Sequence, residues 1–206
     1  MIMVRNVRPD ELDEVLRVEG EAWDEAVRAP REKFESRMRI FPQGFFGAYR
    51  DGRLIGVSTS QIVGDPIDDH RWEEITGNGY ITTHNPDGNV LYLVSLGVSR
   101  SSQSRGAGQL LVEAQKNLVR ELSLDMLVSG SRISQYKDYV EKNGDINVED
   151  YVKLRKDGTD EPYDMSLRFF HRCGLKPFKI VTRYLAKGDA ESMDYNIRVV
   201  WHNPGK

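Results

Sequence analysis

The run "VLYLVSLGV" (Val90–Val98) is apolar almost without interruption. A strand with one wet face alternates polar and apolar residues, so a continuous run demands cover on both sides and places this segment inside a sheet flanked by helices. A polar, glycine-broken stretch, "SRSSQSRGAG" (Ser99–Gly108), comes next. It leads into a helical pattern with Leu110, Leu111, Ala114, Leu118 and Leu122 on one stripe. "LDMLVSG" (Leu124–Gly130) reads as a second buried strand. Strand, helix and strand in this order predict two parallel neighbours joined by a right-handed crossover.

The rest of the chain supplies partners for that unit. "IMVRNVR" (Ile2–Arg8) alternates as a half-buried strand, Pro9 opens a helix carrying Leu12, Val15, Leu16 and Ala22, and Pro30 opens a second, "REKFESRMRIF". "GFFGAYR" and "RLIGVSTSQIV" flank Asp51-Gly52, a pair suited to the left-handed geometry of a tight hairpin. Residues 64–90 read as an elaborated loop, and 131–163 as an insertion with two short helical patterns, "SQYKDYVEK" and "VEDYVKLRK". A last helix, "DMSLRFFHRC", is closed by Gly174, and strands "FKIVTRYLA" and "YNIRVVWHN" finish the chain. One α/β domain over residues 1–206 is expected, with insertions at about 64–90 and 131–163.

Bulk properties narrow the function classes. With 29 basic against 32 acidic residues the formal net charge is −3, which offers no broad positive field for nucleic acid. Cys173 is the only cysteine, so no intramolecular disulfide can form and a reducing compartment is expected. The first residues lack the apolar core of a signal peptide, and no run approaches 18 apolar residues. Those features predict a cytoplasmic protein with no membrane partner.

The turn after Val98 carries the chemistry. A buried strand that feeds a helix N-terminus through a short loop presents unpaired N–H groups and a partial positive charge, a setting that accepts phosphates. Gly106 and Gly108 remove side chains where a pyrophosphate would approach, and Arg105 offers a cation that solvent exposure would explain equally well. The dinucleotide pattern needs a third glycine where Leu111 stands, and the triphosphate loop needs a Gly-Lys-Ser/Thr triplet that the chain lacks. A third template, Gln/Arg-x-x-Gly-x-Gly/Ala, is matched in register by Gln103, Gly106 and Gly108.

On these residues "LGVSRSSQSRGAGQLLVEAQ" resembles the coenzyme A motif of the GCN5-related N-acetyltransferase (GNAT) superfamily, and the order of elements is similar across nearly the whole chain. "RWEEITGNG", "HNPDGNVLYLVSLGV", "SRISQYKDYV" and "WHNP" are similar to a subgroup sometimes fused to a carbon–nitrogen hydrolase. The resemblance implies a mixed central sheet flanked by helices, with central parallel strands splayed apart and a helical insertion. It also implies acetyl-CoA as acyl donor, held through the backbone of Leu96, Gly97 and Val98, with Gly97 easing a bulge. The pyrophosphate would lie on the N–H groups of Gln103, Ser104, Arg105, Gly106, Ala107, Gly108 and Gln109. Packing in the core also accounts for the side chains of Leu96 and Val98.

The implied reaction is direct attack on the thioester by an amine of a small-molecule or peptide acceptor. A lysine-type amine has a pKa near ~10.4 and needs a base or a depressed pKa at neutral pH. Glu73, Glu74 and His84 precede the central strand, where relatives place acceptor-side residues; Glu74 and His84 are the catalytic candidates, although "WEEIT" equally describes a solvated acidic patch beside a packed Trp72. Many relatives take a proton donor from the tyrosine of a Phe-Tyr-x-x-x-Gly-Phe pattern, and here that position is Phe170. A cysteine-like thiol of pKa about 8.5 can leave unassisted, so N-acyltransfer survives the departure. The alternative is a catalytically silent acyl-CoA-binding or protein-interaction module. His70, His171 and His202 show no metal-ligand spacing with each other or with Cys173, so no metal is expected. Tyr136, Tyr139 and Tyr151 read either as an aromatic wall over an acceptor pocket or as cover for apolar surface, and a homodimer is an open arrangement.

Overall fold

The strand predicted to be covered on both faces, β4 (Val90–Val98), is the middle strand of a seven-stranded mixed sheet. The computed structural model describes residues 1–64, 70–103 and 106–206. The other strands are β1 (Ile2–Asn6), β2 (Phe45–Arg50), β3 (Arg53–Val63), β5 (Met126–Arg132), β6 (Lys176–Thr182) and β7 (Tyr195–His202), in the spatial order β1-β2-β3-β4-β5-β7-β6. The β4–β5 pair is parallel, as the strand–helix–strand unit requires, and every other neighbouring pair is antiparallel. Asp51 and Gly52 both take positive φ, 51° and 80°, at the β2–β3 hairpin.

Alternation along β3 and β4 assigns the helices to faces. Ser58 and Leu96 point toward α4 (Ala107–Glu121): Gln115 Nε2 donates to Ser58 Oγ, and Leu96 packs with Leu111. Thr59, Ser95 and Gly97 point the other way, toward α1 (Leu12–Ala22) and α2 (Arg31–Ile40). The cover on both faces of β4 thus comes from two different helical layers.

Three elements differ from the sequence expectation. On α4 the buried set is Ala107, Leu111, Val112, Gln115, Leu118 and Val119, while Leu110 and Leu122 stay exposed. The stripe is rotated by one position, because Gln115 occupies its centre and binds the Gly44 carbonyl and Ser58 Oγ, both at 3.0 Å. Within 64–90 a short helix, α3 (Trp72–Thr76), forms where a loop is predicted, closed by Gly77 at φ 57°. The strand predicted over "FKIVTRYLA" starts earlier, at Lys176, and stops at Thr182; Arg183 takes φ 51°, and Tyr184 turns back into the core.

The insertion forms α5 (Tyr136–Asn143) and α6 (Val148–Lys153). Tyr136 and Tyr151 are buried with ring centroids 4.7 Å apart, and Tyr139 packs edge-on against Tyr151 and Tyr163. Tyr151 donates to the buried carboxylate of Asp164, which also caps α7 (Met165–Arg172) through the N–H groups of Ser166 and Leu167. These rings cover and anchor the last helix.

A charged staple fixes the start of the chain. Glu11 accepts both Arg5 Nη atoms at 2.8 and 2.6 Å, the Arg8 N–H at 2.9 Å and the Tyr49 hydroxyl at 2.9 Å. Arg5 above all, with the Arg8 N–H and the Tyr49 hydroxyl, holds the Glu11 carboxyl down at about 2. A carboxylate whose pKa falls on folding stabilises the protein above its unfolded value, and the contribution disappears as pH drops through the folded one. Acid titration followed by circular dichroism should therefore show stability falling between about pH 4.5 and 2, with a shallower fall in Glu11→Gln. The packing of α4 gives a second check. Leu111→Ala should cost roughly 2–5 kcal/mol in urea unfolding, and the exposed Leu110→Ala within about 0.5 kcal/mol.

Candidate active site

The parallel pairing at the middle of the sheet stops early. It runs from Val90 with Met126 to Leu93 with Ser129 and goes no further. β4 continues to Val98 bound only to β3, and β5 continues to Arg132 bound only to β7. Two backbone edges therefore diverge from a common point, with Val94–Val98 on one side and Gly130–Arg132 on the other. Such an opening offers N–H and C=O groups to an extended ligand that adds as a strand.

A bulge bends β4 at the start of the opening. Thr59 pairs with Ser95 and Ser60 with Leu93, so Val94 is the extra residue. The sequence placed this bulge at Gly97, but Gly97 pairs regularly with Val57. Its glycine has another cause: a Cβ there would lie 3.2 Å from Ala22 Cβ and Trp23 Nε1, where the end of α1 rests on the strand. The Val94 carbonyl accepts the indole N–H of Trp72 at 3.0 Å, so α3 fastens the bulge.

The turn lies beyond Val98. Gln103 Nε2 reaches back to the Val98 carbonyl at 3.3 Å, and Gly106 begins α4 in the left-handed region at φ 87°. Among the described residues a Cβ on Gly106 would meet nothing within 4 Å, and no described side chain caps the α4 N-terminus. Gly108 serves packing instead, since a Cβ there would lie 3.0 Å from the Phe169 ring of α7. Ala107 is buried and Gln109 exposed. Ser104 and Arg105, expected on the phosphate side, lie outside the described residues. Leu96 and Val98 pack their side chains against the cluster of Ala107 and Leu111, so they meet the opening with backbone rather than side chain.

The two catalytic candidates are not gathered there. Glu74 is exposed and its Oε2 takes the Arg71 N–H at 2.7 Å, capping α3. His84 lies beside Ile62, at the closed end of the β4 pairing; its Nδ1 accepts the Ile62 N–H at 3.1 Å and its ring stacks on Phe41. Burial lowers the His84 pKa, so the ring is held neutral as an acceptor. Glu73 is the acid that turns inward: its Oε1 takes the Ala186 N–H at 3.0 Å, and its Oε2 is buried without a hydrogen-bond partner among the described residues. Phe170 sits in the main core. Burial pushes the Cys173 thiol up to about 12, far from a nucleophile's value.

Buried polar residues line the face toward α2 and α3 that the sequence did not single out. Arg198 of β7 lies 4.8 Å over the Tyr184 ring and donates to the Tyr92 hydroxyl at 3.1 Å and the His70 carbonyl at 2.8 Å. Tyr92 and Tyr184 bond through their hydroxyls, and Tyr184 fills the space that a side chain at Gly130 would need. Arg37 reaches from α2 to Thr59 and Ser95 at the bulge. Arg37 shares its helical pattern with Arg31 and Arg39 and carries no mark of burial, while Gly130, inside a strand, hints at close packing. Among the described residues no three His, Cys, Asp or Glu gather as metal ligands, and no helix is long and apolar enough to cross a membrane.

A mixed sheet split between its two parallel central strands, with a helix N-terminus following the split strand, is the architecture of an acetyltransferase of the GNAT kind. The model of the acetyltransferase (GNAT) family matches residues 10–130, and the chain belongs to that family. YkwB of Bacillus subtilis (strain 168), described as an uncharacterized N-acetyltransferase, is 31% identical over 98% of this chain and 89% of its own length. The probable hydrolase YhcX of the same organism is also 31% identical over 98% of this chain, which spans only 39% of YhcX. Among solved structures, the loading GNATL domain of CurA from Lyngbya majuscula superposes with a TM-score of 0.86 at 20% identity over all of both chains. The GphF GNAT-like decarboxylase in complex with isobutyryl-CoA gives 0.81 at 25% identity, covering 98% of this chain and 99% of GphF. An aminoglycoside 6'-N-acetyltransferase complexed with coenzyme A gives 0.64 at 13% identity over 98% and 97%.

The openness at Gly106 is directly testable by calorimetry with acetyl-CoA. Gly106→Ala adds only left-handed strain of about 1–2 kcal/mol to the protein and should bind within a few-fold of wild type. Gly106→Glu adds a negative side chain over the helix N-terminus and should weaken binding by roughly 100-fold or more.

Proposed function

We propose that this protein is an acyl-CoA-dependent N-acyltransferase that moves the acetyl group of acetyl-CoA to a primary amine of a small-molecule or peptide acceptor, with residues 1–206 acting as one unit. The observation that carries this is the early end of the β4–β5 pairing at Leu93 and Ser129, followed in the chain by a helix N-terminus at Gly106 that no described side chain caps. The pantetheine amides would pair with the backbone of Leu96, Gly97 and Val98. The pyrophosphate would lie on N–H groups of the turn from Gln103 to Gln109, Gly106 leading.

The amine attacks the thioester carbon; the C–N bond forms, the C–S bond breaks, and the sulfur leaves with the electron pair. The proton lost by the amine needs a base. We assign that role to Glu73, whose Oε2 is buried with no hydrogen-bond partner among the described residues, in preference to Glu74, which is exposed and caps α3, and to His84, whose Nδ1 already accepts a backbone N–H. Phe170 supplies no proton to the departing sulfur, and a thiol of pKa about 8.5 leaves as thiolate.

A second reading is favoured by the likeness to the GphF decarboxylase, at 25% identity over nearly the full chain. In it the substrate is a 2-carboxyacyl-CoA. The bond to the carboxylate breaks, CO2 leaves, its electron pair passes to the thioester oxygen as an enolate, and a proton on carbon gives the shortened acyl-CoA.

One set of assays separates the readings. Acetyl-CoA with a panel of amines should release free CoA thiol, and Glu73→Gln should lower that rate roughly 100-fold while Glu74→Gln stays within about twofold. Conversion of malonyl-CoA to acetyl-CoA without an amine would favour decarboxylation. Binding of acetyl-CoA with neither product would leave a silent acyl-CoA-binding module.

A further inference from the structure

Arg37 is 1% exposed, and among the described residues no carboxylate lies within ion-pair distance of it. Its Nε donates to the Gly79 carbonyl at 2.8 Å, and its Nη1 to Thr59 Oγ1 at 3.2 Å and to Ser95 Oγ at 3.0 Å. Glu19, the acid whose charge reaches it, is buried and takes the Ala29 N–H at 2.9 Å. Burial without a contacting acid draws the arginine down to about 10, still a cation at neutral pH. A fixed positive charge therefore stands behind the bulge of β4.

The hydroxyls in front of it have one satisfactory arrangement. Each hydroxyl has one proton to give and two lone pairs. Thr59 is 1% exposed, and among the described residues the only acceptor within reach of its proton is Ser95 Oγ at 2.8 Å. Thr59 must then donate to Ser95, since the reverse would strand its proton in the core. Ser95 Oγ thus accepts twice, from Thr59 and from Arg37, and its own proton is left to point elsewhere. Ser95 is half-buried and stands two positions beyond the last β4–β5 pair, where β4 borders the split.

We propose that Ser95 is a catalytic hydrogen-bond donor, aimed by Thr59 and backed by the charge of Arg37, for the negative charge that builds on the thioester oxygen of a bound acyl-CoA. This rests on the acyl-CoA reading above, and it serves both of its forms. Attack by an amine moves the carbonyl π pair onto that oxygen, which returns it as the C–S bond breaks. Loss of CO2 moves the C–C pair onto the same oxygen as an enolate. Ser95 keeps its proton in each case and supplies only the hydrogen bond. Arg37 and Thr59 are positioning residues.

Acetyl-CoA labelled with carbon-13 at the carbonyl gives a readout that needs no acceptor. On wild type the carbonyl resonance should move downfield from its free position, as a polarised carbonyl does. In Ser95→Ala the displacement should vanish, with the calorimetric Kd within about threefold and turnover, in whichever reaction the protein performs, down roughly 100- to 1000-fold. Ser95→Thr should restore it, and Thr59→Val should retain only part of it. Equal displacement in wild type and Ser95→Ala, with both binding, would overturn the role of Ser95 and leave the acyl-CoA reading standing. If Ser95→Ala does not fold, undiminished displacement and turnover in Thr59→Val would overturn it equally. Failure of wild type to bind acetyl-CoA would overturn the underlying reading, and the proposal with it.

Discussion

The molecule is organised around pairs of backbone hydrogen bonds that are not made. A sheet gains most when parallel neighbours bond along their full length, yet β4 and β5 separate after four residue pairs, and each finishes against a different antiparallel partner. Without those partners the exposed N–H and C=O groups would be two raw edges inside the protein. The β2–β3 hairpin on one side and β7 on the other hold the two halves apart. The bulge at Val94 sets the direction of parting, and the Trp72 indole locks it. The turn and the α4 N-terminus then sit where the parted strand delivers them.

The two faces of the parted strand carry different chemistry. Toward α4, Leu96 and Val98 are packed, so only backbone is offered there. Toward α2 and α3, the polar side chains Thr59, Ser95, Tyr92 and Arg198 share the surface with Trp72. A ligand lying in the split would have a generic, sequence-independent grip along its length and a specific, charged environment at its tip.

What the sequence made legible was governed by periodicity. The β4 run, the Asp51-Gly52 hairpin, the strand–helix–strand unit and the Gln103–Gly106–Gly108 turn all repeat or break at spacings fixed by backbone geometry. The missed features depend on contacts distant in the chain. Val94 looks like any strand valine until Thr59 and Ser60 set the register. Arg37 reads as a solvent-facing helix arginine until α2 lands on the sheet. The five residues of α3 are too few to show a helical period, and adjacent Glu73 and Glu74 could not be told apart before its first turn was fixed. Leu110 and Leu111 differ by 100° of rotation, and polar Gln115 decided between them.

Gly130 and Tyr184 illustrate a different kind of dependence. A Cβ at position 130 would lie 2.5 Å from the Tyr184 hydroxyl and 2.7 Å from Asn196 Oδ1, while that hydroxyl is tied to Tyr92 in the protein's centre. Neither position can drift alone: any side chain at 130 evicts the phenol, and loss of the phenol opens a void beside Arg198. Changes here must arrive together, so the pair forms a ratchet in sequence space. Relatives that cross it should do so by simultaneous replacement, and lineages that keep the glycine should keep the tyrosine more than fifty residues downstream.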